Sequence, residues 1–392
     1  MIRSAAEEVV ARCLTLSRLS EETGRTTRTF LSPPMHAVHE LVGTWMREAR
    51  LDVSIDAVGN IRGTRNGPAS ARRLLIGSHL DTVPNAGAYD GILGVVAGIA
   101  IARLAENTPL TVVGFSEEEG VKFAVPFLGS RALIGTAQPL LDADPRIAES
   151  IRAFGLDPER LADARFVDAT AYFEIHIEQG PCLEHLNIPL GIVDSIAGQS
   201  RLNVIFTGAA NHAGTTPMHL RRDALAAAGQ WIHAVREFGL AREGLLATVG
   251  RCEIEPGAGN VVPGKVTASL DVRHKKDSVR YAAVDRILES AKDIGVRHVV
   301  TVEPVKLLDI PATPMDPHLI AMLSNALSTE GFAPHHITSG AGHDAMILAQ
   351  VMPASMLFVR SPGGISHHPD EAVLVDDIEA ALRCGKRFVE SF

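Results

Sequence analysis

The sequence predicts an α/β protein in which a mostly parallel central sheet is flanked by helices and interrupted by a smaller α+β insertion. Two observations carry this. Strand-like apolar runs (Leu74 to Gly77, Leu110 to Phe115, Ala171 to Ile177, Ala354 to Val359) alternate with helical patterns such as Gly91 to Leu104, the rhythm of a sheet covered by helices. Between about residues 198 and 309 the order changes to strand (Leu202 to Phe206), helix (Asp223 to Phe238), strand (Leu245 to Ile254), strand (Lys265 to Arg273), helix (Ser278 to Asp293) and strand (Arg297 to Val302). That βαββαβ order is the ferredoxin-like split unit. Residues 1–197 and 310–392 therefore form one domain and residues 198–309 another.

A chain of 392 residues suits two cores better than one. With 46% hydrophobic and 21% charged residues it should bury a sizeable core. No apolar run approaches the roughly 18 to 20 residues of a membrane span. A net charge of −9 without a basic cluster argues against a nucleic-acid surface, because phosphate neutralisation needs grouped Lys and Arg. The amino terminus reads as an amphipathic helix rather than a secretory signal, so a cytoplasmic setting is expected. Cys13, Cys182, Cys252 and Cys384 show no paired spacing and are expected to be free thiols.

Sixteen histidines, many beside glycines and carboxylates, suggest metal chemistry. Strands of an open α/β sheet collect ligands at their carboxyl ends. His79 follows the first predicted strand, with Asp81 two residues on to orient its imidazole and Asp90 just before a glycine-rich helix. Taken alone, His79 reads equally as a loop histidine and Asp90 as a helix cap. After the next strand, Glu117, Glu118 and Glu119 would repel one another unless a cation sits among them; a solvated acidic helix start is the other reading. His176, Glu178 and Gln179 end an otherwise apolar strand, where they are costly to bury without partners. His367 and His368 lie in a glycine-rich loop after the last strand. Four such pieces at successive strand ends favour one shared site.

The segments GSHLDTVPNAGAYDG, SEEEGVKF, HIEQGP, NHAGTTPM, NVVPG, SGAGHDA and GGISHHPDE, running in order from about residue 59 to 375, together resemble the M20-type metallohydrolases and within them the hydantoinase/carbamoylase group. That group contains allantoate amidohydrolases, N-carbamoyl-L-amino acid hydrolases and ureidoglycolate-type amidohydrolases. The resemblance implies a di-metal, exopeptidase-like catalytic domain and an inserted domain that forms a homodimer and closes over the site. It implies His79, Asp90, Glu119, His176 and His367 as ligands of two divalent ions, with Asp90 bridging and His79 and His367 on opposite metals. The S-H-x-P pattern selects His367 over His368. Such a donor set accepts zinc, manganese, cobalt or nickel. Glu118 matches the general base, His212 the donor to the oxyanion, and Asn260 and Arg273 a clamp on the substrate carboxylate. Gln199 and Arg201 resemble the allantoate enzymes' G-Q-x-R stretch, so the implied reaction is hydrolysis of a ureido C–N bond, with allantoate first and N-carbamoyl-L-amino acids or ureidoglycolate as alternatives. A peptidase of the wider M20 group is the reading from another class. His343 and Asp344 line the expected site without an assigned role.

Overall fold

The computed structural model describes residues 1–68, 72–166 and 168–392. The chain divides into two compact units, Met1–Asp194 with Met315–Phe392, and Ser195–Pro314. The second unit begins and ends a few residues outside 198–309 because Thr313 and Pro314 pair with Ile196 and Ser195, closing the insertion with a short ladder.

In the first unit, four parallel strands run side by side in the order Leu110–Phe115, Leu74–His79, Ala171–Ile177, Ala354–Val359. Every residue of these strands is buried. A sheet covered on both faces requires this, and it explains why the sequence shows continuous apolar runs instead of alternation. The helix Ile92–Leu104 is buried from Ile92 to Ala102, packed against the sheet and against the helices Ile2–Ser17 and Val375–Ser391. In the first of these, Ala5, Val9, Cys13 and Leu16 form the apolar stripe that an amphipathic helix turns to a core.

Antiparallel strands absent from the sequence expectation extend both sides of the parallel centre. Asp52–Ile55 and Ile61–Arg65 lie beyond Leu110–Phe115, and Leu190–Ile196 lies beyond Ala354–Val359, paired in turn with His336–Ser339. The strand expected to end at Gly77 continues to His79, because Ser78 and His79 keep their register with Gly114 and Phe115. His79 is thus held by sheet hydrogen bonds instead of standing in a loop. All four cysteines are free, and among the described residues no helix is long and apolar enough to cross a membrane.

The second unit is an antiparallel sheet in the order Cys252–Glu255, Lys265–His274, Gly198–Thr207, Thr301–Ile310, with Leu246–Thr248 also on Lys265–His274. The expected strand Leu245 to Ile254 is therefore two short strands. The second helix runs Asp277–His298, so Arg297 belongs to it and not to the final strand. That strand, Thr301–Ile310, tolerates Pro304 because it lies at an edge, where a missing N–H costs no ladder bond. Strict alternation of burial along Lys265–His274 shows one face turned to a core. Trp231 of the helix Ala224–Leu240 anchors that core: it is fully buried, 5.5 Å between ring centroids from Phe206, and its Nε1–H donates to Ile287 O at 3.1 Å. Trp231→Ala should destabilise this unit by about 3–5 kcal/mol; an unchanged urea midpoint by circular dichroism would contradict the packing.

Candidate metal centre

Because the four central strands are parallel, their carboxyl ends emerge on one side, and the polar residues of the sequence motifs follow from them. His79 is the last residue of its strand, Ser116–Glu119 follow Leu110–Phe115, His176 lies one residue from the end of Ala171–Ile177, and His367 sits in the loop after Ala354–Val359. Asp90 precedes the buried helix, with Gly91 at φ +67° turning the chain between them. Glu117 and His367 both adopt left-handed backbone, at φ 52° and 55°. That conformation costs a non-glycine residue free energy and is held by its surroundings.

The side chains converge. Donor atoms of His79, Asp90 and His176 lie within 4.8 Å of one another, as do those of Asp90, Glu119 and His367, so Asp90 belongs to both sets. Asp90 Oδ1 is 3.4 Å from His176 Nε2 and 3.9 Å from His79 Nε2. Its other oxygen is 3.2 Å from His367 Nε2, and Glu119 Oε1 is 3.6 Å from that same nitrogen. Hydrogen-bond partners assign the tautomers. His79 Nδ1 donates to Asp81 O at 3.0 Å and His176 Nδ1 to Ile177 O at 2.9 Å. Carbonyls can only accept, so both Nδ1 atoms donate; the carboxylates around His79 outweigh its burial and raise it well above the ordinary imidazole range, whereas burial keeps His176 neutral, leaving a lone pair on its Nε2. The Gly91 N–H, 3.2 Å from His176 Nε2, agrees with this.

Carboxylates crowd the same space. Burial pushes Glu119 up to about 7 and Glu118 well above the ordinary carboxylate range, with neighbouring acids adding to the shift and His79 opposing it. Burial acts on Asp90 in the same direction, but the histidines around it hold it below its ordinary value. The Asp90 carboxylate in turn raises His367 to about 8. Asp90 Oδ2, although buried, receives no hydrogen bond; its approach to His367 lacks the geometry of one. An unsatisfied carboxylate oxygen facing imidazole nitrogens, with a second carboxylate alongside, fits a divalent cation between them. Glu118 Oε2 stands 4.0 Å from His79 Nε2, beside both sets.

Supporting contacts differ from the sequence reading in one respect. Asp81 does not orient His79 through its carboxylate, which is 3.8 Å away; its main-chain carbonyl does so. The carboxylate instead accepts the N–H groups of Glu118 and Glu119, at 3.0 and 3.1 Å, fixing the acidic loop. Glu178 caps the helix Cys182–Leu186 by accepting from Cys182 and Leu183 N–H. His368 lies outside the cluster, with its Nδ1 accepting from Asp370 N–H at 3.2 Å. His343 pairs with Ser339 Oγ at 2.9 Å, and its ring meets that of His176 edge-on at 4.5 Å. Asp344 is fully buried with neither carboxylate oxygen hydrogen-bonded. Gln179, expected to need a partner, finds one in Asp90, its Nε2 donating to Oδ1 at 3.0 Å; sequence reasoning missed Glu371, which accepts the N–H of Asp90 at 2.9 Å. The acidic end of HHPDE was its only signal.

The expected substrate residues fall in two groups on the second unit. His212 and Asn260 are neighbours: Val261 is paired with His212, and Ala213 N–H donates to Asn260 O at 2.9 Å. Both are exposed. Gln199, Arg201 and Arg273 converge on one carboxylate, Asp271, with donor distances of 2.6, 2.9 and 2.8 Å. Asp271 was not singled out from sequence, although L-D-V-R alternation puts residues 271 and 273 on one face.

The fold and this donor set define an α/β protein built around a candidate two-metal centre. Residues 75–391 match peptidase family M20/M25/M40, and the chain belongs to that family. It is 36% identical over 443 residues to the probable allantoate deiminase of Oryza sativa subsp. japonica, covering 98% of this chain and 88% of that one. It is 37% identical over 404 residues to the N-carbamoyl-L-amino-acid amidohydrolase of Paenarthrobacter aurescens, covering 98% of each. A hydantoinase/carbamoylase family amidase from Burkholderia multivorans superposes with a TM-score of 0.91 at 31% identity, covering 98% of this chain and 97% of that one. Aminopeptidase PepT from Bacillus cereus, at 18% identity and a TM-score of 0.67 over 98% of each chain, shares the fold. Within the family the chain stands with the hydantoinase/carbamoylase amidases.

Gly91 gives a direct test of the cluster's geometry, since a β-carbon there would overlap the His79 ring at Cδ2 and Nε2. Gly91→Ala should weaken Zn²⁺ binding at least about tenfold with the circular dichroism spectrum retained. Undiminished affinity in chelator competition would show that His79 is not a ligand.

Proposed function

We propose that this protein hydrolyses a ureido C–N bond with two divalent metal ions, and that allantoate is its substrate. The observation that carries the reading is the single aspartate, Asp90, common to two donor sets with Glu118 beside them. His79 and His176 would hold one ion, Glu119 and His367 the other, and Asp90 would bridge them. Two such ions supply a water of lowered pKa and polarise the substrate carbonyl. Glu118 takes the proton from the attacking water and returns it to the departing amine. Buried beside both donor sets, it is placed to do both. Water adds to the ureido carbon, the C–N bond breaks, and the carbamate released decomposes to ammonia and carbon dioxide.

His212 is assigned as donor to the oxygen of the tetrahedral intermediate, and Asn260 and Arg273 as the clamp on the substrate carboxylate. Gln199 and Arg201 are assigned to the second ureido arm. Allantoate is supported by the allantoate deiminase relative and by the G-Q-S-R stretch; the carbamoylase relative of equal coverage supports N-carbamoyl-L-amino acids as the second reading. A cytoplasmic setting and zinc or manganese, with cobalt or nickel as substitutes, complete the proposal.

The Ser195–Pro314 unit is assigned the dimerising role. Its edge strand Thr301–Ile310 has one unpaired side and exposes Val305 and Leu307, features that an interface would cover. Light scattering should give twice the 41.8 kDa chain mass, and Leu307→Lys should shift it toward the monomer; a monomeric native protein would refute the assignment.

Incubated with allantoate, N-carbamoyl amino acids and dipeptides, the protein should release ammonia fastest from allantoate, stop after chelation and resume with added Mn²⁺ or Zn²⁺. Glu118→Gln should lower turnover at least about a hundredfold while keeping its metal. Activity on dipeptides alone would reject the ureido reading, and undiminished turnover in Glu118→Gln would reject the assigned base.

A further inference from the structure

We infer that Glu371 is a positioning residue for the shared aspartate, closing a ring of hydrogen bonds through Ser366 and Gln179 that sets which oxygen of Asp90 faces each donor set. The inference rests on the two-metal reading above and adds a residue to which that reading gives no role.

The ring joins three segments distant in sequence. Glu371 Oε1 accepts the N–H groups of Tyr89 and Asp90, at 2.8 and 2.9 Å. Its Oε2 accepts from Ser366 Oγ at 3.3 Å. Ser366 Oγ in turn accepts from Gln179 Nε2 at 3.1 Å, and that same amide nitrogen donates to Asp90 Oδ1 at 3.0 Å. Asp90, held through its main chain by one end and through its side chain by the other, closes the circuit.

The direction of each bond follows from donor inventory. Both oxygens of Glu371 accept, Oε1 from two main-chain N–H groups and Oε2 from Ser366, so the one hydroxyl proton of Ser366 points to Glu371. The Ser366 lone pairs then face Gln179, which turns its amide nitrogen toward both Ser366 and Asp90. Asp90 Oδ1 consequently carries a hydrogen bond, while Oδ2, on the side of His367 and Glu119, carries none. The ring thus holds Oδ1 toward His79 and His176 and Oδ2 toward His367 and Glu119, and it fixes the main chain from which both project. Glu371 is 5% exposed and Asp90 2%, so water does not replace these bonds easily. Gly87 leaves the space: a β-carbon there would overlap Glu371 Cβ.

The test is competition of Zn²⁺ between the protein and a chromogenic chelator, which reads metal affinity without substrate. Glu371→Ala should weaken Zn²⁺ binding by about 10- to 100-fold, the range found for residues that support metal ligands from outside the coordination sphere. Glu371→Gln keeps an oxygen for the two N–H groups and should recover most of that loss, which bulk destabilisation would not predict. Gly87→Ala, on neither a ligand nor the ring, should reproduce part of it. Ser366→Ala and Gln179→Ala cut the same circuit, so the double variant should bind no more weakly than the worse single one. Circular dichroism establishes folding; should Glu371→Ala fail to fold, the Ser366 and Gln179 cycle decides by itself. Wild-type affinity in a folded Glu371→Ala, or additive effects of Ser366→Ala and Gln179→Ala, would overturn the role of Glu371 alone. A wild-type protein that binds no divalent ion would overturn the two-metal reading and this inference together.

Discussion

Asp81, Asp90, Glu118 and Glu119 surround His79 at a place where water is largely excluded, and the mutual repulsion of their carboxylates is the constraint on which the rest of the first unit depends. Buried like charges cannot all ionise without compensation. The chain compensates with specific partners. Asp81 is satisfied by two main-chain N–H groups, the carbonyls of Asp81 and Ile177 accept from the Nδ1 atoms of His79 and His176, and Asp90 keeps one oxygen without a hydrogen bond. Two divalent cations would relieve what remains, which is why the arrangement fits a metal centre better than a structural ion-pair network.

Holding that arrangement requires a rigid frame, and the parallel sheet supplies it. His79 and His176 are set by strand register, one residue from a slip that would turn each to the opposite face. The acidic loop and the His367 loop hang from the ends of two further buried strands and adopt left-handed backbone at Glu117 and His367. Apolar burial of the helix behind Asp90 fixes that residue from the other side. In the second unit, one carboxylate, Asp271, gathers Gln199, Arg201 and Arg273.

Much of this is legible in the sequence where one side chain reports on its own local setting. Buried parallel strands announce themselves as apolar runs, and a histidine or acid at the end of such a run stands out. The edge strands Asp52–Ile55 and Ile61–Arg65 do not, being short, partly exposed and free of a repeating pattern. The break near Gly250 is hidden for a similar reason, since Leu245 to Ile254 reads as one continuous strand. Contacts made by main chain are less legible still: the sequence points to the Asp81 carboxylate as the partner of His79, whereas its carbonyl takes that place. Gln179 is joined to Ser366 and Glu371 from far away in the chain, and no local spacing encodes such a circuit.

The most direct measurement is a crystal structure of the protein loaded with Mn²⁺ or Zn²⁺, with anomalous scattering recorded at the metal edge. The account predicts two peaks about 3.5–4 Å apart, with the Asp90 carboxylate between them, His79 and His176 on one and Glu119 and His367 on the other. A single peak, or peaks away from Asp90, would contradict it.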